Sequence, residues 1–280
     1  MGKRIYSLVA AAVLGIIGTC AAEADTNEWE RTYYLMADVS PVFFSLGKAT
    51  TRHWNYYYEA DAVQQLSAYG YLLVGWWAVS DIDTPNSRKH RAAMYESDPY
   101  AFYGYRLKFA EDWALNQRLG MIWVTFPGYR NEYRGVSDHS YREWTYNASV
   151  ENPYVTPAVE IRVVDRLGTY LRTSLSHSFT VWEGLSLRPY LNAYGGSRRW
   201  NDARFGALRE DRRIGNSLVS VRYGARATYK FDTGIAFSFD ISGYDCVDPD
   251  GRAQVRERHR RGNSQRTDQL IVSLGVSYEW

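Results

Sequence analysis

The chain has 280 residues, with 33 basic and 31 acidic side chains, 24 Tyr, 10 Trp and 10 Phe. So even a balance gives no electrostatic argument for nucleic acid, and two cysteines cannot build a disulfide framework or a cysteine metal cluster. High aromatic content with only 23% charged residues suits an all-β chain, either soluble or carrying its hydrophobicity on alternate residues of a membrane barrel.

The N-terminus opens with "MGKR", an apolar "IYSLVAAAVLGIIG" and a small-x-small "AEA" at Ala22 to Ala24. This is the plan of a secretory signal peptide over residues 1–24, with a single exported domain over 25–280. Its removal takes away Lys3, Arg4 and Glu23 and leaves 31 basic and 30 acidic residues. No later stretch has the run of about 18 apolar residues that a transmembrane helix needs.

The exported part of the chain alternates apolar and polar residues with a period of two. Twelve such segments begin near Tyr33, Tyr56, Tyr71, Tyr100, Trp113, Glu143, Tyr154, Thr169, Leu185, Ser217, Gly234 and Thr267. Helical periodicity is not expected after the signal. Tight turns ("SAYG", "AED", "ENP", "WEG", "DTG") come after the even-numbered segments. Long polar loops come after most of the others, the "DRLG" turn after the seventh being a short exception. An even number of strands with short turns at one end and long loops at the other predicts a twelve-stranded antiparallel transmembrane β-barrel of the outer-membrane type. A soluble sandwich has no reason to sort its loops by parity.

Aromatic placement agrees with this. Phe109, Trp113, Phe179, Trp182, Phe231, Tyr278 and Trp280 fall at the short-turn rim, and Trp76, Tyr103, Trp123 and Trp144 near the other. Two belts of amphipathic rings at headgroup depth are what a bilayer selects. The last strand, "LIVSLGVSYEW", ends on Trp280, and Tyr278 with Trp280 is the expected signal to the barrel-assembly machinery.

The stretches "NPYVTPAVE", "GTYLRTSLSHSF" and "EGLSLRPYLNAYGG", with the earlier "ADVSPVFFSLGKA", resemble the TorF-like porins of Gram-negative bacteria. The resemblance is clearest over Asn152 to Gly196. It implies an outer-membrane barrel with a channel role and offers no catalytic residues to carry over.

If the polar face is the lumen, it holds Arg106, Lys108, Arg118, Arg162, Arg172, Arg188, Arg222, Arg226 and Lys230. Facing the same way are Asp38, Glu59, Asp61, Glu151, Glu160 and Asp240, so bases outnumber acids by nine to six. The acids lie on the first two, sixth, seventh and eleventh segments and the bases from the fourth to the tenth, which sets a field across the lumen that favours anions or zwitterions and predicts a mild preference for anions. Mutual pairing that plugs the interior is the competing reading. Eight strands leave an interior filled by side chains and about sixteen an open channel. Twelve therefore predicts a narrow path for small hydrophilic solutes.

Two loops are rich in arginine: Arg198 and Arg199 lie in one, Arg256, Arg258, Arg260 and Arg261 in the other. Guanidinium groups match phosphate oxygens, which on a cell surface points to lipopolysaccharide. Solvated loops with Asp202, Glu210, Asp211 and Glu257 as partners are the bland alternative. The five histidines are dispersed with no metal-ligand spacing, and no cofactor is expected. His177 sits on the lipid-facing row while Ser176 and Ser178 point the other way, so an outer-face hydrolase lacks its nucleophile and a non-enzymatic barrel is the expectation. Three functions remain in order: a porin-like channel, a plugged surface-binding barrel in contact with outer-membrane lipids, and a lipid-acting enzyme.

Overall fold

The computed structural model describes residues 31–45, 48–81, 94–125, 140–205, 213–261 and 266–280. The expected signal peptide lies outside them. Thirteen strands form one continuous sheet: β1 (Arg31–Ser45), β2 (Lys48–Gln65), β3 (Gly70–Asp81), β4 (Met94–Ala110), β5 (Trp113–Thr125), β6 (Ser140–Glu151), β7 (Thr156–Val164), β8 (Gly168–Ser176), β9 (Phe179–Trp182), β10 (Leu185–Gly196), β11 (Ser217–Lys230), β12 (Ile235–Cys246) and β13 (Asp268–Glu279). Each pairs antiparallel with its neighbour, and β8 and β9 are two pieces of one stave interrupted at His177 and Ser178. β10 joins β11, and β13 joins β1, so the ring closes with twelve staves.

Closure explains the terminal strand. Tyr34 stands opposite Glu279 and Val39 opposite Leu274. Beyond this ladder, Tyr33 and Trp280 exchange backbone bonds of 3.0 and 3.2 Å, and their rings stack at 5.4 Å between centroids. In hydrocarbon an unpaired backbone group costs several kcal/mol, so a spanning sheet must use its last residues to seal its first strand.

The alternation sorts side chains as the sequence predicts. On β13, Leu270, Leu274, Val276 and Tyr278 are exposed on the outside while Ser273 is buried inside. On β12, Phe237, Phe239 and Ile241 face out while Asp240 and Ser242 are buried. All seven aromatics assigned to the short-turn rim are exposed, as are Trp123 and Trp144; Tyr103 is exposed too, but it stands opposite Leu72 with its hydroxyl beside Gly70, on the short-turn side and not near the other rim. Trp76 is half-buried, its indole N–H donating to Ser97 Oγ at 2.8 Å.

Two expectations need correction. First, β2 begins at Lys48 and β4 at Met94, well before Tyr56 and Tyr100. Charged and proline residues break the apolar alternation there, and the ladders continue past them with register shifts between Ser40 and Val42 and between Val79 and Ser80. Only Leu46 and Gly47 separate β1 from β2, so "DRLG" is not the sole short connection at the long-loop end.

Second, both arginine-rich loops contain helix: α1 (Arg198–Phe205) and α2 (Pro249–Arg260). Asp248 caps α2 by accepting from Gly251 N at 2.8 Å, and Pro249 occupies the first turn. Each helix buries only three residues, too few for an apolar period to show. A point the sequence leaves open is settled by α1, which folds into the mouth of the barrel. Trp200 packs with Val164, Leu167, Tyr170 and Tyr194. Phe205 joins Val255 of α2 and Val42, Val219, Tyr244, Cys246 and Ile271 of the wall. The Asn201 amide donates to the carbonyls of Gly196, Gly215 and Ser217 at 3.1, 2.8 and 3.1 Å, tying both ends of the loop to the rim.

Candidate functional site

Beneath α1 the barrel encloses a cavity of about 630 Å³. Its wall is charged and unevenly so. Two glycines make room for the charges, since a side chain at Gly75 would collide with Asp61 and Tyr100, and one at Gly275 with Asp38.

One side is acidic. On β2, Glu59 and Asp61 point at the same tyrosine: the Tyr100 hydroxyl of β4 is within 2.9 Å of Glu59 Oε1 and also bonds Asp61 Oδ1. Higher on β4 stand Glu96 and Asp98, and on β6 Glu143 and Thr145. Asp98 Oδ1, Glu143 Oε1 and Thr145 Oγ1 are buried without a hydrogen-bond partner among the described residues.

The other side is basic and partly neutralised. Glu160 of β7 accepts from Arg162 and pairs with Arg172 Nη2 at 2.5 Å, and Arg162 Nη1 donates to Glu143 Oε2 at 2.6 Å. Asp240 of β12 accepts from Arg222 Nη2 at 2.9 Å and from the Tyr190 hydroxyl at 3.0 Å. Arg226 lies between Asp240 at 3.6 Å and Asp38 at 3.8 Å. The guanidinium groups of Arg162 and Arg222 also sit over the rings of Tyr170 and Tyr190, each 5.6 Å from the centroid. Arg188 differs. Its Nη2 donates to the neutral Ser176 Oγ at 3.0 Å, and among the described residues it pairs with no carboxylate.

Of the residues expected inside, Arg118, Arg162, Arg172, Arg188, Arg222, Arg226, Glu59, Asp61, Glu160 and Asp240 line this cavity. Arg106, Lys108 and Lys230 do not. Arg106 bonds Glu151 at 2.8 Å and Lys230 bonds Glu279 at 2.9 Å, both exposed at the short-turn rim, and Lys108 is exposed there too. Conversely, Glu96, Asp98 and Glu143 line the cavity although sequence reasoning does not assign them to it. Glu143 opens its segment in the sequence, and parity alone, two steps from Thr145 and four from Asn147, puts it on the inner face. The cavity therefore carries six arginines and seven carboxylates, which removes the excess of nine over six.

The surface arginines are divided. Arg199 and Arg256 are exposed, and Arg258 is half-buried. Arg198 lies 3.8 Å from Asp202, and Glu257 is shared by Arg260 at 3.7 Å and Arg261 at 3.0 Å. Glu210 and Asp211 lie outside the described residues. His177 packs edge-on against Phe179 at 4.4 Å, while Ser176 faces the lumen with Arg188. Among the described residues no group of three or more His, Cys, Asp or Glu side chains is placed to hold a metal ion.

No protein-family model matches the chain, and no curated protein matches it either. The resemblance to TorF-like porins thus has no family match behind it. Solved structures do match in fold. An outer membrane channel of Pseudomonas putida F1 superposes with a TM-score of 0.54 at 11% identity, covering 93% of this chain and 98% of that one. The KdgM porin gives 0.46 at 9% identity over 88% and 98%. Outer membrane phospholipase A from Escherichia coli gives 0.44 at 11% identity over 88% and 92%. The first of these, with the closed ring of twelve staves, makes the fold an outer-membrane type β-barrel.

Proposed function

We propose that the protein is a porin-like channel of the Gram-negative outer membrane that passes small hydrophilic solutes by diffusion. The observation that carries this is the charge-lined cavity inside a closed barrel whose outer face is apolar. Thirteen ionisable groups line this internal space, and each demands solvation or pairing, so a water-filled path past them supplies what the ion pairs do not. The expectation of an anion preference rests on a basic excess, and six arginines against seven carboxylates do not sustain it. Arg172, Arg188, Arg222 and Arg226 still give anions a path along one side, while the acidic wall gives cations another.

The test is single-channel recording in a planar bilayer across a salt gradient. Discrete conductance with a reversal potential close to zero supports the reading. Absence of conductance, or strong selectivity for either sign, contradicts it.

One observation favours a second reading: α1 and α2 bury apolar clusters in the mouth. A plugged barrel would then present Arg198, Arg199, Arg256, Arg258, Arg260 and Arg261 to lipopolysaccharide phosphates; it predicts no solute flux, and binding that is lost when these arginines are neutralised. Export by residues 1–24 and handling by the barrel-assembly machinery through Tyr278 and Trp280 belong to either reading.

A further inference from the structure

The lumen is more specific than its net charge implies. Its charges are graded around the ring, with Arg118 standing among the acids and Glu160 and Asp240 among the bases, but the groups of interest lie far apart on two arcs. Glu59 and Asp61 stand on β2, Asp98 on β4, and Arg188 on β10, which lies nearly across the barrel from β2 in the order of staves.

Each arc keeps groups that the protein does not neutralise. Among the described residues Arg188 bonds a neutral hydroxyl and no carboxylate, and it has the charges of Arg226, its partner across the ladder, and Arg172 for neighbours. Across from it, Glu59 and Asp61 share one tyrosine hydroxyl and form no ion pair with a described basic residue, Arg118 acting on them only at longer range. Above them Asp98, buried to within 8% of full coverage, aims an oxygen with no hydrogen-bond partner among the described residues.

We infer that the lumen binds small zwitterions, with the carboxylate at Arg188 and the ammonium group at the Glu59 and Asp61 wall. This deepens the channel reading and rests on the same cavity. A singly charged solute satisfies one arc and leaves the other uncompensated in a confined space, where charge is poorly solvated. A solute bearing both charges satisfies both arcs at once. The field between the arcs also orients its dipole, so part of the ordering is supplied before contact.

Three probes of equal chain length separate the cases: 5-aminopentanoate, glutarate and 1,5-diaminopentane. Each is titrated against the full chain in detergent micelles, with tryptophan fluorescence as the signal, since Trp77 lines the cavity. Conductance is recorded in parallel with each probe present. The expected result is apparent affinity about tenfold tighter for 5-aminopentanoate than for either matched ion, because each of those sets like charge against one wall. Arg188→Gln moves the ranking toward the diamine, and Asp61→Asn moves it toward glutarate. Equal affinities for the three probes overturn the inference, as does a ranking that neither substitution changes. The comparison on the unsubstituted protein decides the matter even if a variant fails to fold. Conductance without a zwitterion preference defeats this inference and leaves the channel reading standing. Preference without conductance sustains the inference and defeats the channel.

Discussion

Asp240 is the most heavily engaged carboxylate in the lumen, and its replacement by Asn has a calculable effect. The side chain is 2% exposed and receives Arg222 at 2.9 Å, the Tyr190 hydroxyl at 3.0 Å and the Ser242 hydroxyl at 3.2 Å, with Arg226 at 3.6 Å. Asn keeps the volume and an acceptor for Tyr190 but loses the charge. Breaking one partner of a buried pair costs about 3–5 kcal/mol, because the other charge stays buried and uncompensated. Arg226 retains Asp38 at 3.8 Å, so the loss falls mainly on Arg222. We expect Asp240→Asn to lower stability by about 3 kcal/mol, the low end of that range. The assay is urea unfolding of the barrel in lipid vesicles. Removing both charges, as Arg222→Gln with Asp240→Asn, should recover most of this and end within about 1–2 kcal/mol of the parent, since absence of the pair is cheaper than half of it. In bilayers the single variant should shift reversal potential toward anions. A single variant within about 1 kcal/mol of the parent, or a double variant as costly as the two singles added, would refute the pairing argument.

Three further outcomes are expected. Trp200→Ala and Asn201→Ala unfasten α1 from the mouth, the first at a cost of about 3–5 kcal/mol for a buried aromatic; both should raise conductance and speed amide exchange over residues 198–205, and unchanged exchange would mean the helix is not held as described. Leu274→Arg, on the outer face midway along β13, should cost about 2–4 kcal/mol, whereas Leu270→Arg near the end of the strand should cost about 0–1, and equal costs would contradict the assigned depth. Deleting Tyr278 to Trp280 removes the ring stack and the two backbone bonds to Tyr33; export should persist while insertion fails, and normal heat-resistant migration of the truncated barrel would contradict this.

The staves are legible in the sequence because a lipid-facing row must be predominantly apolar, and Leu270, Leu274 and Val276 show that row directly. The upper part of β4 is not, because Ser97 and Pro99 break the apolar outer row and Glu96 and Asp98 charge the inner one, while the backbone ladder continues past them with a register shift between Val79 and Ser80. Parity names the face of a residue and says nothing about its height, so it groups Arg106 and Lys230 with Arg188 although they sit at the rim in ion pairs with Glu151 and Glu279. The helices escape sequence reading for a different reason. Trp200 and Phe205 are the only large apolar residues that α1 buries, and the arginines around them read as a solvated loop. What folds α1 is a mouth already lined by Tyr170, Tyr194 and Tyr244, a surface that exists only once the barrel has closed.

The broken stave also marks a depth. Below His177, β9 pairs with β10 on one side and with no described strand on the other, and all four of its residues are exposed. Bare peptide groups along Phe179–Trp182 are intolerable in hydrocarbon but harmless among hydrated headgroups. The gap therefore works as a waterline, fixing the lower edge of the oily layer on that flank between Leu175 and Phe179. From this mark the tilt of the whole barrel can be measured against the opposite flank, where Trp280 and Tyr33 seal the wall to its last residue.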